Sequence, residues 1–207
     1  MIDNISVNAQ SSIRIDYNGK VIRFDPYQID KDYNDADYIF ITHPHYDHYS
    51  EKDIDKVKKE NTKIIVPKEL ESEVSDFSEV LVVEPNKEYT IDDISFTTTY
   101  AYNLDKYFHK KESNWVGYIV NLNNEKIYVS GDTDIVPELY DIKADIAMIC
   151  IGGTYTCDYI EASELINKIH PKYTVPIHYK TIVGSETDAD KFGELVKNST
   201  QVKMLLK

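Results

Sequence analysis

Ser12-Ile13-Arg14-Ile15-Asp16-Tyr17 alternates apolar and polar side chains, Asn18-Gly19 follows, and Lys20 to Asp25 returns, a pattern that predicts a β-hairpin closed by a two-residue turn. Asp37-Tyr38-Ile39-Phe40-Ile41-Thr42 is a nearly unbroken apolar run, expected as a buried strand that leads straight into a histidine-rich segment. A short helix should follow, with Ser50 as N-cap, Asp53 in the capping-box position and lysines toward its end. Further strands are predicted at Lys63–Val66, Val80–Val83, Ile94–Tyr100, Trp115–Leu122 and Lys126–Ser130, the last pair joined by an Asn123-Asn124 turn.

Beyond residue 144 the period changes. Strands are expected at Asp145–Ile151, Tyr173–Ile177 and Val202–Leu206, with helices from about Asp158 to Ile169 and from about Asp188 to Asn198. The first helix carries Ala162, Leu165, Ile166 and Ile169 on one face behind an Asp158/Glu161 capping pair; the second carries Ala189, Phe192 and Val196 behind Thr187/Asp190. A β-rich first half followed by β-α-β-α-β predicts an α+β fold of two packed sheets with helices outside, a four-layer αββα sandwich. With no repeat, low-complexity tract or linker, the 207 residues are expected to form one domain, 1–207.

Composition narrows the function. A formal charge of −13 disfavours long nucleic acids and anionic membrane surfaces, although a cationic centre would still accept a small anionic substrate. The 17 tyrosines suit strands. Cys150 and Cys157 read as reduced thiols, since two cysteines make no disulfide framework. Met1 to Ser12 lacks the basic start and apolar block of a secretory signal, and no stretch approaches the roughly 20 apolar residues of a membrane span, so the cytoplasm is the expected location.

Thr42-His43-Pro44-His45-Tyr46-Asp47-His48 places four metal-ligand side chains within six residues after an apolar strand. Imidazole nitrogen and carboxylate oxygen are donors that zinc, iron and manganese accept, and Pro44 with the tight spacing excludes a helical His-Glu-x-x-His site. Gly131-Asp132-Thr133-Asp134 alone is ordinary turn chemistry, but beside a histidine cluster a strand-end carboxylate suits a bridge between two cations. His178 ends a predicted strand on the same side of the sheets, whereas His170 precedes Pro171 at a helix terminus and is expected only to flank it.

The His-x-His-x-Asp-His run, the later Gly-Asp-Thr and the strand-ending histidine together resemble the metallo-β-lactamase superfamily over nearly the whole chain. Ala101-Tyr102-Asn103, Phe108-His109-Lys110, Gly152-Gly153-Thr154-Tyr155-Thr156 and Pro176-Ile177-His178-Tyr179 are similar to its small bacterial metal-dependent hydrolases, the branch related to ascorbate-phosphate lactonases and N-acylphosphatidylethanolamine phospholipase D. The resemblance implies two divalent ions, zinc before manganese or iron. One would be held by His43, His45 and a third histidine, the other by Asp47, His48 and His178, with Asp132 bridging. Where relatives place the third histidine this chain has Asn103, a poor zinc ligand. Either His109, six residues on, takes that place, or water fills it.

The reading that follows is a hydrolase cleaving a small ester, lactone, thioester or phosphodiester with metal-bound hydroxide, Asp47 and Asp132 serving the chemistry as well as the metals. Tyr46, Tyr155, Tyr179 and Lys180 are candidate substrate contacts by proximity. The Gly152–Thr156 loop is expected either to present N–H groups to an anion or to be a plain tight turn. A non-catalytic metal-binding or regulatory protein on the same fold and a nuclease-type phosphodiesterase are the alternatives; a redox site of the flavodiiron kind ranks last, because it needs a glutamate where this chain has His45.

Overall fold

The predicted hairpin forms as β2 (Ile13–Tyr17) and β3 (Lys20–Phe24), preceded by a short β1 (Ile5–Val7) that alternation over three residues could not announce. Asn18 and Gly19 both take positive φ (49° and 80°), the paired left-handed conformation that a two-residue turn between twisted strands requires. In this computed structural model, which describes residues 1–207, the chain divides into two compact units, Met1–Glu84 with Leu206–Lys207, and Pro85–Leu205.

The first unit holds a six-stranded sheet laid down in chain order, β1-β2-β3-β4-β5-β6, with β4 at Ala36–Phe40, β5 at Lys58–Pro67 and β6 at Glu79–Val83. Its first pairs are antiparallel and the rest, from β3 onward, parallel. Apolar side chains therefore continue along β4 and β5 instead of alternating, because both faces of a parallel strand are covered. Strand β5 starts five residues before its predicted Lys63, on a polar, largely exposed stretch that carries no hydrophobic signal.

Helix α1 (Glu51–Val57) buries Ile54 and Val57 against Ile39, Ile41, Ile64 and Val66. Fully burying side chains of this size contributes roughly 1.5–3 kcal/mol each. Ser50 caps α1 as expected, its Oγ accepting from Asp53 N, but the Asp53 carboxylate does not complete the box on Ser50 N–H. It accepts from the N–H groups of Gln28 and Ile29, each at 3.0 Å, and so ties the helix start to the loop after β3.

The second unit holds a seven-stranded sheet in order β13-β12-β11-β10-β9-β8-β7. Its strands are β7 (Glu88–Ile91), β8 (Ile94–Tyr100), β9 (Val116–Leu122), β10 (Glu125–Val129), β11 (Ile146–Cys150), β12 (Tyr173–Ile177) and β13 (Gln201–Val202). The antiparallel meander β7 to β10 becomes parallel from β10 to β13. Short β7 escapes the sequence pattern, and the last strand is only two residues long; Leu206 instead pairs with Val7 in the first unit. Helix α2 (Tyr159–Ile169) begins with the expected Asp158/Glu161 box and buries Ala162, Leu165, Ile166 and Ile169. Helix α3 (Glu186–Leu195) starts before its predicted Asp188, and Ser185, not Thr187, caps it: Gly184 (φ +68°) ends the preceding loop and leaves Ser185 extended, with its Oγ accepting from Asp188 N.

Candidate metal centre

In the first unit, Phe24 of β3 pairs with Phe40 of the parallel strand β4, so the residues just beyond these strand ends meet. Thr42 N–H donates to Asp25 Oδ1 at 2.9 Å, and the Thr42 hydroxyl donates to Asp25 Oδ2 at 2.7 Å. Having given its one proton to a carboxylate, Thr42 Oγ1 can only accept from His43 Nδ1, 2.9 Å away. His48 Nδ1 lies 2.7 Å from Asp25 Oδ2 and donates to it as well. One buried carboxylate thus sets both rings in the Nδ1–H tautomer, leaving the lone pairs of His43 and His48 on Nε2, as metal-binding imidazoles with a carboxylate or hydroxyl behind them do.

These donors gather closely. His43 Nε2 and His45 Nδ1 are 3.1 Å apart, His48 Nε2 is 3.5 Å from Asp47 Oδ2, and that oxygen accepts from Gln10 Nε2 at 3.3 Å. His43, Asp47 and His48 are buried and His45 is half-buried. Burial pushes the Asp25 carboxyl up, against the pull of His48 and Thr42, which favour its charged form.

In the second unit, β10 and β12 run parallel on either side of β11, so Asp132 and His178, just past their ends, come together. His178 Nε2 is 3.0 Å from Asp132 Oδ2, and His109 Nε2 is 3.5 Å from the same oxygen; all three side chains are buried. His178 adopts the left-handed conformation (φ +57°), which is uncommon for a residue with a side chain. Its neighbour Gly152 makes this close packing possible: a Cβ there would stand 2.6 Å from the His178 carbonyl oxygen and 3.2 Å from His178 Nδ1.

His109 reaches Asp132 because residues 103–109 fold back as a closed loop, with Asn103 N–H donating to the His109 carbonyl at 2.7 Å. Lys106 holds the loop down through Asp134 Oδ1 (2.5 Å) and the Thr156 carbonyl (3.0 Å). His170 is exposed at the αL residue that ends α2.

The candidate substrate contacts are less concentrated. Tyr155 meets Phe108 edge-on at 4.7 Å between ring centroids, and its carbonyl accepts from Asn103. Tyr179 is buried, and burial together with Glu186 and Asp190 raises its phenol above the ordinary value. Lys180 forms an ion pair with Glu186, while Tyr46 in the first unit is exposed. The Gly152–Thr156 segment takes the tight-turn form: Gly153 N–H donates to the Cys157 carbonyl and Thr154 N–H to that of Gly152, so these groups are committed within the turn. Cys150 and Cys157 are buried free thiols with sulfurs 3.7 Å apart.

Three contributors escaped sequence reasoning. Asp25 carried one faint signal, an acid immediately after a strand; Gln10 carried none; Asn103 drew notice only as a missing histidine.

Comparison with known proteins decides the family. The profile described as the beta-lactamase superfamily domain matches residues 4–178. The chain belongs to the metallo-β-lactamase superfamily. It is 29% identical over 184 residues to a UPF0173 metal-dependent hydrolase of Pyrococcus horikoshii, covering 84% of this chain and 80% of that one. A UPF0173 metal-dependent hydrolase of Lysinibacillus sphaericus is 29% identical over 216 residues, covering 94% of this chain and 93% of the relative. Among solved structures, a candidate metal-dependent hydrolase from Parabacteroides distasonis aligns with a TM-score of 0.84 at 25% identity, over 98% of this chain and 93% of that one. The α+β metallo-β-lactamase sandwich expected from the sequence is the fold of this chain. By name its relatives are metal-dependent hydrolases, and the chain falls among them. None of its helices is long and apolar enough to cross a membrane.

Proposed function

We propose that this superfamily member is a hydrolase of a small ester, lactone, thioester or phosphodiester, working with two divalent cations. The ligands proposed are His43, His45 and His109 for one cation and Asp47, His48 and His178 for the other, with Asp132 serving both, as the family resemblance implies. The observation that carries the reading is the tautomer control by Asp25: one carboxylate, directly and through Thr42, turns two buried imidazoles so that each offers Nε2. A histidine cluster folded only for packing has no need of that arrangement. Mixed imidazole and carboxylate donors fit zinc, with manganese or iron next.

Bound cations of this kind lower the pKa of a shared water and polarise the oxygen of the scissile group. Asp47, steadied by Gln10, is the carboxylate proposed to orient that water or take its proton. The two cysteines are buried and hydrogen-bonded to main-chain carbonyls, so neither is offered as a nucleophile. A net charge of −13 favours small substrates over polyanions.

The test is turnover on a panel of generic esters, lactones, thioesters and phosphodiesters, with Asp132→Ala and His45→Ala as controls. The reading predicts activity on at least one class and a loss of roughly 10³-fold or more in each variant. Metal retained without turnover on any class would favour the non-catalytic alternative.

A further inference from the structure

We infer that Asn103 is a positioning residue that fixes the tautomer of His109, so that His109 offers Nε2, and not Nδ1, to a cation; the metal half of this inference rests on the ligand set proposed above. The direction in which the Asn103 amide faces is set by its neighbours. Its nitrogen lies 3.2 Å from Asp134 Oδ1 and 2.9 Å from the Tyr155 carbonyl oxygen. Both neighbours only accept, so the NH2 end must point to them and the orientation is determined by chemistry, not by a choice between similar atoms.

Asn103 Oδ1 therefore faces the other way, toward His109. There it accepts from His109 N–H at 3.1 Å and lies 3.0 Å from His109 Nδ1. An amide oxygen has no proton to give, so His109 Nδ1 carries the hydrogen. In the neutral ring the lone pair is then on Nε2, the nitrogen 3.5 Å from Asp132 Oδ2. Both lone pairs and both protons of the Asn103 amide are used in these contacts, which leaves Asn103 a supporting role and not a ligand's. Trp115, edge-on to the His109 ring at 5.5 Å, restricts ring rotation further.

The residue that looked like a lost ligand is thereby the support of its replacement. The same relation holds between Asp25 and His48 in the first unit, with a charged acceptor. Removing a residue that hydrogen-bonds the far nitrogen of a metal-binding imidazole typically changes metal affinity by roughly 10–100-fold.

The test reads the His109 ring directly by ¹⁵N-edited NMR of the full-length protein, stripped and metal-loaded, at a pH above the ordinary imidazole value of about 6.5. The expected result is an Nδ1–H ring in the parent. Asn103→Ala should release it to a mixture including Nε2–H, and weaken binding of one cation by roughly 10–100-fold. The ring state of the unsubstituted parent needs no variant, and it decides the matter if Asn103→Ala fails to fold. An Nε2–H ring in the parent or an unchanged tautomer in Asn103→Ala would overturn the inference. A His109→Ala variant that binds metal like the parent would instead remove His109 from the ligand set, a failure visible separately from the tautomer result.

Discussion

Asp25 Oδ2 lies 2.7 Å from His48 Nδ1, and neither side chain reaches solvent. Because the same carboxylate accepts from Thr42 N–H and the Thr42 hydroxyl, Asp25→Ala would strand three buried donors at once. Each costs about 1–3 kcal/mol when left unsatisfied. The expected outcome is a large drop in melting temperature together with metal affinity reduced by roughly 10–100-fold, measured by calorimetry and chelator competition. Unchanged metal affinity in a folded Asp25→Ala protein would show that the carboxylate does not act through the histidines.

Gly152 supports the other half of the centre by having no side chain. In Gly152→Ala the new methyl would collide with the His178 carbonyl and with Val183 Cγ2, each 2.6 Å from the Cβ position. Both cannot yield without moving His178, so destabilisation of about 1–3 kcal/mol should accompany weakened metal binding. Full stability and metal content in this variant would mean that the turn shifts without consequence.

Asp53 makes a prediction about acid. Burial alone would raise its carboxyl, yet Ser50, Lys56 and the N–H groups of Ile29 and Gln28 hold it below its ordinary 3.8. A depressed folded-state value means that its contribution is fully present above pH 3.8 and is lost as the pH falls through the folded-state value. Asp53→Asn should therefore melt lower than the parent at pH 7, by the equivalent of about 1–3 kcal/mol, and the gap should narrow in strongly acidic solution. Thermal melts across the pH range measure it; a gap that widens toward acid would contradict the assignment.

Charge separates the hydrolase from a nuclease. With 36 acidic against 23 basic residues, the protein should show no salt-dependent retention of a short RNA in fluorescence anisotropy, even at low ionic strength. Binding that weakens steeply with added salt would revive the nuclease-type alternative.

What was legible in the sequence is what repeats or clusters. Alternation revealed β2, the Asn18-Gly19 turn announced its return as β3, apolar runs revealed β4 and β11, and the density of His43, His45, Asp47 and His48 stood out because chance seldom gathers such residues. The supporting contacts were not legible, for a physical reason. Asp25 meets His48 across 23 residues and Gln10 meets Asp47 across 37, so these pairs exist only once the strands of the first sheet have assembled. Asn103 and His109 are six apart, yet their relation depends on a loop closure that no periodicity encodes. Strand β7 and the first half of β5 were missed because part-exposed polar strands lack a hydrophobic signature.

Counting metal ions per chain shows whether two divalent cations bind with His109 among their ligands. Native mass spectrometry of untagged protein purified without chelator should find two in the parent and about one in His109→Ala. Equal metal content in the two proteins would remove His109 from the site, and no metal in either would contradict the hydrolase account as a whole.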